Sequence, residues 1–593
     1  MSAGVTATVR RVRDALMAAG VDVAGGPVDA DEPGPLLVVD PAAWYAAQPI
    51  APSAARLDRT VGLSLAPYGS VAMQDDAAVG RRMAVIVHPD ARSARHLRRV
   101  GCRSGHVPLG CRPDRPFDVH DARPLALLSF GASCARRLRV LAGGAPWFDH
   151  LRCAHRFDEE LDGGDVADPW LATAHVLLDV APDDDAAPDP VLLLAALEAG
   201  AAVATERLGV WPGDVAEHLV RAPRQTLCAR AAELAQDPDL AAALAASALA
   251  VLADAFPLGA MGSTLGALLV DASSRKASPG PREDRPALSD HAPPTDARRS
   301  VAQVLEDEQS NPDTPMRNGL AQVLSGVRRL DRRLTQIEHG DAPDATDVLH
   351  AAPPASGVRV SVLVPAFDAA RTVLQALDSV HATAGEDGAP ALEVVLVDDA
   401  SSQDDAAAAV AWARAHPDLP VTVLRHTRNR GLASARNSAL EHARGQLVLP
   451  LDADNLLRPR GLRRLLDGLE AEPRASFAYG LLQEFDTTGP AGLRGLYPWD
   501  PVRLRWGNYI DALALVRRDV LRDVGGYTVD MPEQGYEDWD LWCRLAEQGA
   551  SGVWVPEIVA SYRLRADSMS AALHLSHIVP LADMLERHPE LLG

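Results

Sequence analysis

The segment 447–455, with the sequence LVLPLDADN, constrains this chain most, because a short apolar run ends there in two carboxylates one residue apart. Such a run, bounded by turn residues, is typical of a strand buried on both faces, and ligands of an open α/β sheet bind beyond the carboxyl ends of such strands. Asp452 and Asp454 are therefore predicted to lie where a ligand binds. Two adjacent carboxylates repel each other, and a divalent cation that also binds diphosphate oxygens relieves this repulsion. Taken alone, an Asp-x-Asp pair is more often a solvated turn or a helix cap.

The chain has 593 residues, which is too long for one hydrophobic core and predicts roughly three or four domains. Its 58 basic and 80 acidic residues give a net charge of −22. A charge of this sign argues against a general nucleic-acid binder and against a protein that binds anionic membrane surfaces. The partner is therefore predicted to be a small molecule.

The six cysteines show neither Cys-x-x-Cys pairs nor the Cys and His spacing of a zinc site. Free buried thiols in a reducing compartment are expected. No apolar run reaches the length of a transmembrane helix, and the N-terminus lacks the pattern of a signal peptide. These observations predict a cytoplasmic protein without a transmembrane segment.

Residues 1–272 alternate short apolar runs with stretches rich in Ala and Leu, a pattern typical of parallel α/β units. The segment 131–137 directly follows one of the apolar runs. Arg136 and Arg137 in this segment either hold a phosphate at a helix start, together with backbone amides, or are ordinary surface charges.

The segment 191–206 is expected to form a helix, a glycine stop and a short strand. Together with residues 212–214 and 234–238, it resembles the donor-side half of GT-B glycosyltransferases, over about residues 80–270. The resemblance implies that Glu198 holds a nucleotide ribose. Two interpretations stay open, a degenerate GT-B-like domain without activity and a second active transferase.

Two polar segments divide the remainder of the chain. Residues 273–297 contain Ser, Pro, Asp, Arg and Gly with few bulky apolar residues, as flexible linkers do. Residues 298–340 are predicted to be helical, because six apolar residues within 320–337 recur at spacings of three and four. This apolar stripe either docks on a neighbouring domain or forms a homodimer. A second linker is predicted over 341–357, and a further α/β domain over 358–593.

The last domain begins with apolar runs at 358–365, 392–397 and 421–424, which predict successive strands of a βαβ series. The second run ends in Asp398 and Asp399, whose carboxylates can accept hydrogen bonds from a base or a ribose.

The segment 429–437, with the sequence NRGLASARN, runs from a glycine turn into a helix, and its arginines can neutralise a diphosphate. The order of four motifs, VPAF, VDDAS, NRGLASARN and DADN, resembles family 2 glycosyltransferases of the GT-A fold, over about residues 358–570. This resemblance implies a Rossmann-like domain that transfers sugars from nucleotide-diphospho-sugars.

The resemblance gives each matching residue a role. Asp399 would hold the nucleobase, Asp452 the ribose or the metal shell, and Asp454 a divalent cation, Mg²⁺ or Mn²⁺, bound to the diphosphate. An arginine of the third motif would lie near the diphosphate. The donor-binding residues implied are Pro365, Asp399, Arg430, Arg436, Asp452 and Arg565, with Arg428 as a further candidate.

The segment 536–545, with the sequence YEDWDLWCRL, resembles the acceptor-side Glu-Asp motif of the family. It implies Asp538 as the catalytic base, with Glu537 beside it, because a carboxylate at a helix start stays charged and can accept a proton from a sugar hydroxyl. Helix capping by the two acids, with Trp539 and Trp542 in the core, can be true at the same time. The Gln-x-x-Arg-Trp motif of processive synthases is absent from the sequence, which favours transfer of one or a few sugars.

One position departs from the family pattern. Arg565 stands where many relatives carry a metal-binding His, and an arginine stays protonated and cannot ligate a cation. Either the cation has fewer protein ligands, or Arg565 itself stabilises the leaving diphosphate.

These observations and the family resemblance together predict a glycosyltransferase that moves a sugar from a nucleotide sugar to the hydroxyl of a saccharide, lipid-linked or protein acceptor, and the resemblance implies that the transfer inverts the anomeric configuration. Its setting would be the synthesis of surface polysaccharides or glycoconjugates. Two alternatives stay open, a scaffold protein that binds nucleotide sugars without turnover and a bifunctional enzyme with two transferase domains. Nucleic acid is not an expected partner.

Overall fold

The computed structural model describes residues 3–21, 35–46, 52–64, 71–89, 91–109, 111, 123–130, 133–157, 170–181, 190–207, 213–274, 345–352, 357–531, 534–565 and 578–592. Two compact units are distinguished, residues 1–140 with 151–295 and residues 141–150 with 296–593. The predicted helical segment 298–340, which includes the apolar stripe 320–337, lies outside the described residues. Most of the predicted linker 273–297 also lies outside them.

The first unit contains two sheets whose described strands all pair in parallel. The strands are Leu36–Val39 (β1), Thr60–Leu63 (β2), Val85–His88 (β3), Ser104–His106 (β4), Leu125–Phe130 (β5), Cys153–Arg156 (β6), Ala174–Asp179 (β7), Ala202–Thr205 (β8) and Val220–Arg221 (β9). Their orders are β1-β2-β3-β4 in one sheet and β6-β5-β7-β8-β9 in the other. Parallel sheets need helices on their faces, and two such sheets are compatible with the predicted GT-B-like fold.

Helices alternate with these strands along the chain. The helices described up to residue 274 are Ala3–Ala18 (α1), Pro41–Ala46 (α2), Ala54–Leu57 (α3), Val71–Gly80 (α4), Ala91–Arg99 (α5), Ala135–Phe148 (α6), Pro190–Glu198 (α7), Gly213–Ala216 (α8), Arg224–Ala235 (α9), Pro238–Ala255 (α10) and Leu258–Ser274 (α11). A Cβ atom at Gly262 on α11 would lie 1.8 Å from the carbonyl oxygen of Ala15 on α1. Only glycine therefore permits this close packing of the two helices.

Helix α10 is long and apolar enough to cross a membrane, with a mean hydropathy of 1.5 over its 18 residues. The prediction that no apolar run has this length therefore needs correction. One such helix is a weak indication of a membrane span, because core helices of soluble proteins can have the same composition. Ala245, Ala248 and Leu252 of this helix are buried in the core of the first unit.

The second unit is built on one ten-stranded sheet. Its strands are Thr346–His350 (β10), Val360–Ala366 (β11), Leu392–Asp398 (β12), Val421–His426 (β13), Leu447–Pro450 (β14), Leu456–Leu457 (β15), Phe477–Asp486 (β16), Gly489–Arg494 (β17), Leu515–Arg517 (β18) and Gly552–Arg563 (β19). The order is β10-β13-β12-β11-β14-β18-β16-β19-β15, and β17 pairs with β16. The predicted mixed α/β fold class is confirmed.

Strand β11 lies at the switch point of the sheet. The next strands along the chain, β12 and β13, are added on one side of it, and β14 is added on the other side. Val362 pairs in parallel with Val394 of β12 on one side and with Leu449 of β14 on the other. In open α/β sheets, a ligand crevice forms at the carboxyl ends of the strands at such a point. The sheet topology therefore places a crevice beyond β11, β12 and β14.

Side chains of β11 alternate between two apolar cores. Val360, Val362 and Val364 enter one core, whereas Leu363 enters the other. All seven residues of β11 are buried, which explains why its sequence is mostly apolar. The helices of this unit are Thr372–Ala384 (α12), Asp405–Ala415 (α13), Leu432–His442 (α14), Gly461–Ala471 (α15), Arg518–Asp523 (α16), Glu537–Glu547 (α17), Ile578–Arg587 (α18) and Pro589–Leu592 (α19), with a 3₁₀ helix at Pro501–Trp506.

Strand β10 lies inside the segment 341–357, which the sequence predicted to be a linker. It pairs antiparallel with β13, with Thr346 opposite His426. A sheet edge offers unpaired backbone groups with which a further short strand can pair. The structure thus differs from the predicted linker at residues 346–350.

Candidate active site

A pocket of about 890 Å³ lies at the carboxyl ends of β11, β12 and β14. Most of the residues that the sequence predicts for this site line it. They are Pro365, Asp399, Arg436, Asp452, Asp454, Glu537, Asp538 and Arg565. Glu484, Asn508 and Asp511, to which the sequence gave no role, also line the pocket.

Arg436 on α14 joins two carboxylates from different parts of the chain. Its Nη2 donates to Asp452 Oδ1 at 2.7 Å, and its Nη1 donates to Glu537 Oε1 at 2.9 Å. Only 2% of the residue is exposed, and its guanidinium lies 5.3 Å from the centre of the Tyr527 ring. Burial alone would lower the pKa of Arg436, but the attraction of Asp452 and Glu537 outweighs burial and raises it. Arg436 therefore stays charged and holds both carboxylates in place.

Glu537 and Asp538 begin α17 but have different surroundings. Glu537 is buried, and its second oxygen, Oε2, accepts a hydrogen bond from the Gly535 amide at 2.7 Å. Glu537 is thus held by Arg436 and by the Gly535 amide, and its predicted catalytic role stays a prediction. Asp538 is partly exposed and accepts from Asn508 Nδ2 at 2.9 Å and from the Trp539 amide at 2.8 Å.

The pKa of Asp538 is raised well above the ordinary range of a carboxyl group. Burial is the main cause, and repulsion by Glu537 and Asp511 adds to it, whereas Arg436 acts in the opposite direction. A carboxylate with a raised pKa is a stronger base than a solvated one and is better matched to proton abstraction near neutral pH. This environment is consistent with Asp538 as the base, which stays a prediction.

Asp399 lines the pocket, but protein donors bind its carboxylate. Oδ1 accepts from the Arg430 amide at 2.8 Å and lies 2.6 Å from His426 Nδ1, and Oδ2 accepts from the Gly431 amide at 2.7 Å. Gly431 has a φ of 89°, and a Cβ atom there would lie 2.1 Å from Gln534 Nε2, so this turn requires glycine. Asp399 thus fixes the turn before α14. A nucleobase would have to compete with these donors, which is a departure from the predicted role.

The structure separates the arginines of the third motif. Arg436 lines the pocket, whereas Arg428 and Arg430 are not among the described residues that do so. Nη1 of Arg430 lies 3.5 Å from Thr346 Oγ1 on β10. The Arg430 guanidinium thus contacts the edge strand of the sheet, and its predicted role in donor binding stays a prediction.

Asp454 is the second carboxylate after β14. Burial, followed by repulsion from Asp452, raises its pKa to about 6, and Arg565 and Arg563 act against this rise. Arg565 Nη1 lies 3.9 Å from Asp454 Oδ2. Arg563 Nε donates to the backbone carbonyl of Asp454 at 3.0 Å. Positive charge from two arginines therefore lies beside this carboxylate.

The Asp452 and Asp454 pair fits a cation that carboxylates and diphosphate oxygens hold together. After burial, repulsion from Asp452 is the next cause of the raised pKa of Asp454, and a bound cation would relieve this repulsion. Over the described part of the chain, no group of three His, Cys, Asp or Glu side chains is arranged to hold a metal ion. Oxygens of the donor would therefore have to complete the coordination shell.

The arginines predicted for the first unit bind other parts of the protein. Arg136 forms two hydrogen bonds with Glu206, at 2.9 and 2.6 Å, and also donates to the Ala181 carbonyl at 2.6 Å. Arg137 is buried, and its Nε and Nη2 donate to the Val180 carbonyl at 3.0 and 2.8 Å. Neither of the two alternatives given for these residues, phosphate binding or plain surface charge, describes this arrangement.

Glu198, the predicted ribose ligand, is buried and forms a bidentate ion pair with Arg11. Its Oε1 and Oε2 accept hydrogen bonds from Arg11 Nη1 and Nη2, each at 2.7 Å. The side chain of Glu198 is 2% exposed, and that of Arg11 is 8% exposed. A nucleotide ribose would have to compete with this internal partner for both oxygens of Glu198.

Comparison with known proteins concerns the C-terminal part of the chain. The model of glycosyl transferase family 2 matches residues 361–525. The putative glycosyltransferase EpsE of Bacillus subtilis (strain 168) is 28% identical over 215 residues, which cover 36% of this chain and 75% of EpsE. The amylovoran biosynthesis glycosyltransferase AmsE of Erwinia amylovora is 26% identical over 202 residues, which cover 33% of this chain and 72% of AmsE.

Among solved structures, the chain is similar to the mannosyltransferase PcManGT from Pyrobaculum calidifontis in complex with GDP-Man and Mn²⁺. The sequence identity is 22% and the TM-score is 0.31, with 48% of this chain and 76% of that chain covered. The match to the family model contains Asp399, Arg436, Asp452 and Asp454, four of the residues that line the pocket. The C-terminal part of this chain thus matches glycosyl transferase family 2 over residues 361–525.

Proposed function

We propose that the second unit is an inverting glycosyltransferase that moves one or a few sugars from a nucleotide-diphospho-sugar to an acceptor hydroxyl. The observation that carries the proposal is the presence of Asp538, a carboxylate with a raised pKa, in the same pocket as Asp452, Asp454 and Arg436. Asp538 can take a proton from the acceptor, and the other groups can hold the diphosphate end of the donor.

The chemical step needs one base and one leaving group. Asp538 takes the proton of the acceptor hydroxyl, and the oxygen forms a bond to the anomeric carbon of the sugar. The bond from that carbon to the diphosphate breaks, and the nucleoside diphosphate leaves with the electron pair. In-line attack inverts the configuration at the anomeric carbon, as the family resemblance implies.

Asp454 and Asp452 would hold a divalent cation, Mg²⁺ or Mn²⁺, with diphosphate oxygens as further ligands. Bound there, a cation supplies positive charge to the leaving diphosphate. Arg563 and Arg565 lie beside Asp454 and place additional positive charge at the same end of the pocket.

The proposed cation site predicts that Asp454→Ala weakens Mn²⁺-dependent binding of the donor by at least about tenfold, because a direct ligand is lost. A carboxyl ligand must be deprotonated, and the pKa of Asp454 is about 6. In the wild-type protein, this binding should therefore weaken as the pH falls through about 6. Calorimetry with nucleotide sugars, with and without Mn²⁺, measures both effects, and Asp404→Ala, at an exposed position outside the pocket lining, is the control.

Arg565→Met distinguishes the cation from the arginine as the group that stabilises the diphosphate. If the cation does so, a chelator stops transfer, and the variant loses less activity than Asp454→Ala. If transfer continues in the presence of the chelator while Arg565→Met stops it, the cation site is not required for the reaction.

Turnover separates the transferase from a scaffold that only binds nucleotide sugars. Calorimetry against a panel of nucleotide sugars identifies the donor, and release of the nucleoside diphosphate is then followed in the presence of candidate acceptors. Steady release that depends on an acceptor supports the transferase. Saturable binding without release would support the scaffold instead.

We further propose a polysaccharide or glycoconjugate as the product, a saccharide, lipid-linked or protein acceptor, and a cytoplasmic location. Similarity to a protein named for amylovoran biosynthesis supports the first point. All six cysteines are free thiols, which supports a reducing compartment. A homodimer through residues 320–337 stays a prediction that light scattering can test.

The first unit is proposed to support the enzyme or to bind the acceptor, without a second transfer. Its three candidate donor contacts, Arg136, Arg137 and Glu198, bind internal partners instead. The role of Glu198 is therefore expected to be structural.

Glu198→Ala should lower the free energy of unfolding of the first unit by about 3–5 kcal/mol, because it removes the carboxylate that pairs with the buried guanidinium of Arg11. Sugar transfer by the second unit should be unchanged. Chemical denaturation measures the stability, and Glu233→Ala, which breaks an exposed pair with Arg230, should lose less than about 1 kcal/mol. If Glu198→Ala abolished sugar turnover while the fold stayed intact, the chemistry would belong to the first unit.

A further inference from the structure

We propose that Asn508 is a positioning residue for the base, which orients the carboxylate of Asp538 and holds it in the charged form. The inference rests on the proposed function of Asp538. Asn508 lies in the loop between the 3₁₀ helix Pro501–Trp506 and β18, is exposed, and lines the pocket. Its Nδ2 donates a hydrogen bond of 2.9 Å to Asp538 Oδ2.

The orientation of the Asn508 amide follows from its second contact. Its Oδ1 accepts a hydrogen bond of 3.2 Å from the Ile510 amide. A backbone N–H can only donate, so the side-chain oxygen must face Ile510 and the NH₂ group must face Asp538. Asn508 therefore acts as a hydrogen-bond donor to the carboxylate.

The loop that carries Asn508 is attached to the helix that carries Asp538. Trp542 on α17 donates from Nε1 to the carbonyl of Ile510 at 3.0 Å, and its side chain is fully buried. Gly507, with a φ of 129°, allows the chain to turn directly before Asn508. Two contacts, one to the buried indole and one to the base, thus hold loop and helix together.

The charges around Asp538 explain why a neutral donor at this position matters. Glu537 on the same helix and Asp511 in the loop before β18 repel a negative charge on Asp538, whereas Arg436 on α14 attracts it. The phenol of Tyr527 also interacts electrostatically with Asp538. A hydrogen bond to an ionised carboxylate favours the ionised form, and Asn508 supplies one without adding charge to the pocket.

The test is the pH dependence of kcat/KM in Asn508→Ala and Asn508→Asp. Loss of one hydrogen bond to the carboxylate should move the acidic limb of Asn508→Ala upward by about one pH unit, which is about a tenfold loss of rate below the limb. Activity should recover at higher pH, where Asp538 ionises without help. Asn508→Asp adds a like charge and should move the limb further in the same direction.

A different result would overturn the proposal. If Asn508→Ala lost activity equally at every pH, or raised only the KM of the acceptor with an unchanged pH profile, Asn508 would bind the acceptor and not position the base. Equal melting temperatures of variant and wild type at low pH would show that the fold is kept.

A second readout does not depend on transfer. Loss of Asn508 raises the pKa of Asp538 in the folded state further above its unfolded value, so the stability difference between wild type and Asn508→Ala should grow as the pH rises through this titration. Melting temperatures across the pH range measure it. If wild-type protein transferred no sugar, this difference would still test the contact, so failure of the proposed function and failure of the inference are distinguishable. A stability difference that is independent of pH would contradict the inference.

Discussion

Asp538→Asn should reduce the rate of sugar transfer by about 10²- to 10⁴-fold, the usual contribution of a positioned general base. Asparagine has nearly the same shape as aspartate but cannot take the proton of an acceptor hydroxyl. Asp538 accepts hydrogen bonds from the amide of Trp539 and from the side chain of Asn508, and the substitution changes neither of these groups. The loss should therefore appear in kcat, with donor binding close to that of the wild type.

The measurement is acceptor-dependent release of the nucleoside diphosphate, with donor binding followed separately by calorimetry. Asp523→Asn, at an exposed position of the same unit, is the matched control and should behave as the wild type. Retention of more than about a tenth of the wild-type rate in Asp538→Asn would exclude Asp538 as the base, because general-base contributions are larger than this.

The wild-type pH profile follows from the same carboxylate. Burial, Glu537 and Asp511 all raise the pKa of Asp538, and a base acts only when it is deprotonated. The rate of transfer should therefore rise as the pH rises. The pH of half-maximal rate should lie well above the ordinary carboxyl pKa, which is about 4. This rise should be absent from the residual activity of Asp538→Asn.

The strands at the pocket could be predicted because a strand buried on both faces has a mostly apolar sequence. All residues of β11 and β12 are buried, and most of them are apolar, so both strands can be recognised in the sequence. Since the carboxyl ends of parallel strands meet at one edge, Asp399, Asp452 and Asp454 were expected at one site. The structure places all three at the pocket.

The partners of these residues could not be predicted, because they come from distant parts of the chain. Glu537 lies 101 positions from Arg436, and Arg11 lies 187 positions from Glu198. No periodicity or motif spacing records such pairs. A resemblance to a family gives a residue its role in the relatives, but only the packing of this chain shows that Glu198 is held by an internal arginine.

The contacts of loops and edge strands could not be predicted from the sequence either. The sequence contains Asn508 two residues before Ile510, yet nothing local indicates that its amide reaches the helix start at Asp538. Similarly, β10 lies in a segment rich in Pro, Ala and Asp, as linkers are, and the structure pairs it with the edge of β13.

Arg436→Met should lower the free energy of unfolding of the second unit by about 3–5 kcal/mol, the usual effect of removing one partner from a buried ion pair. Arg436 is 2% exposed and bridges Asp452 and Glu537. Without it, Glu537 is left as a buried carboxylate, and Asp452 loses the group that holds it at the pocket. Transfer should fall together with stability, since the same guanidinium fixes both ends of the site.

Denaturant unfolding, followed by tryptophan fluorescence, measures the change in stability. Arg430→Met is the matched control from the same sequence motif, because Arg430 lies outside the pocket lining, and its effect should be clearly smaller. Arg436→Lys should recover only part of the loss, because an ammonium group lacks the planar fork with which Arg436 reaches two carboxylates at 2.7 and 2.9 Å.

A double variant tests whether the buried charge causes the loss. Glu537→Gln removes the carboxylate that Arg436→Met would strand, so the two changes together should destabilise the protein by less than the sum of the single changes. Transfer should not recover in the double variant, because Asp452 still lacks its donor. If the two effects were instead additive, Arg436 would stabilise the unit through packing against Tyr527, 5.3 Å from its guanidinium, and not through the ion pair with Glu537.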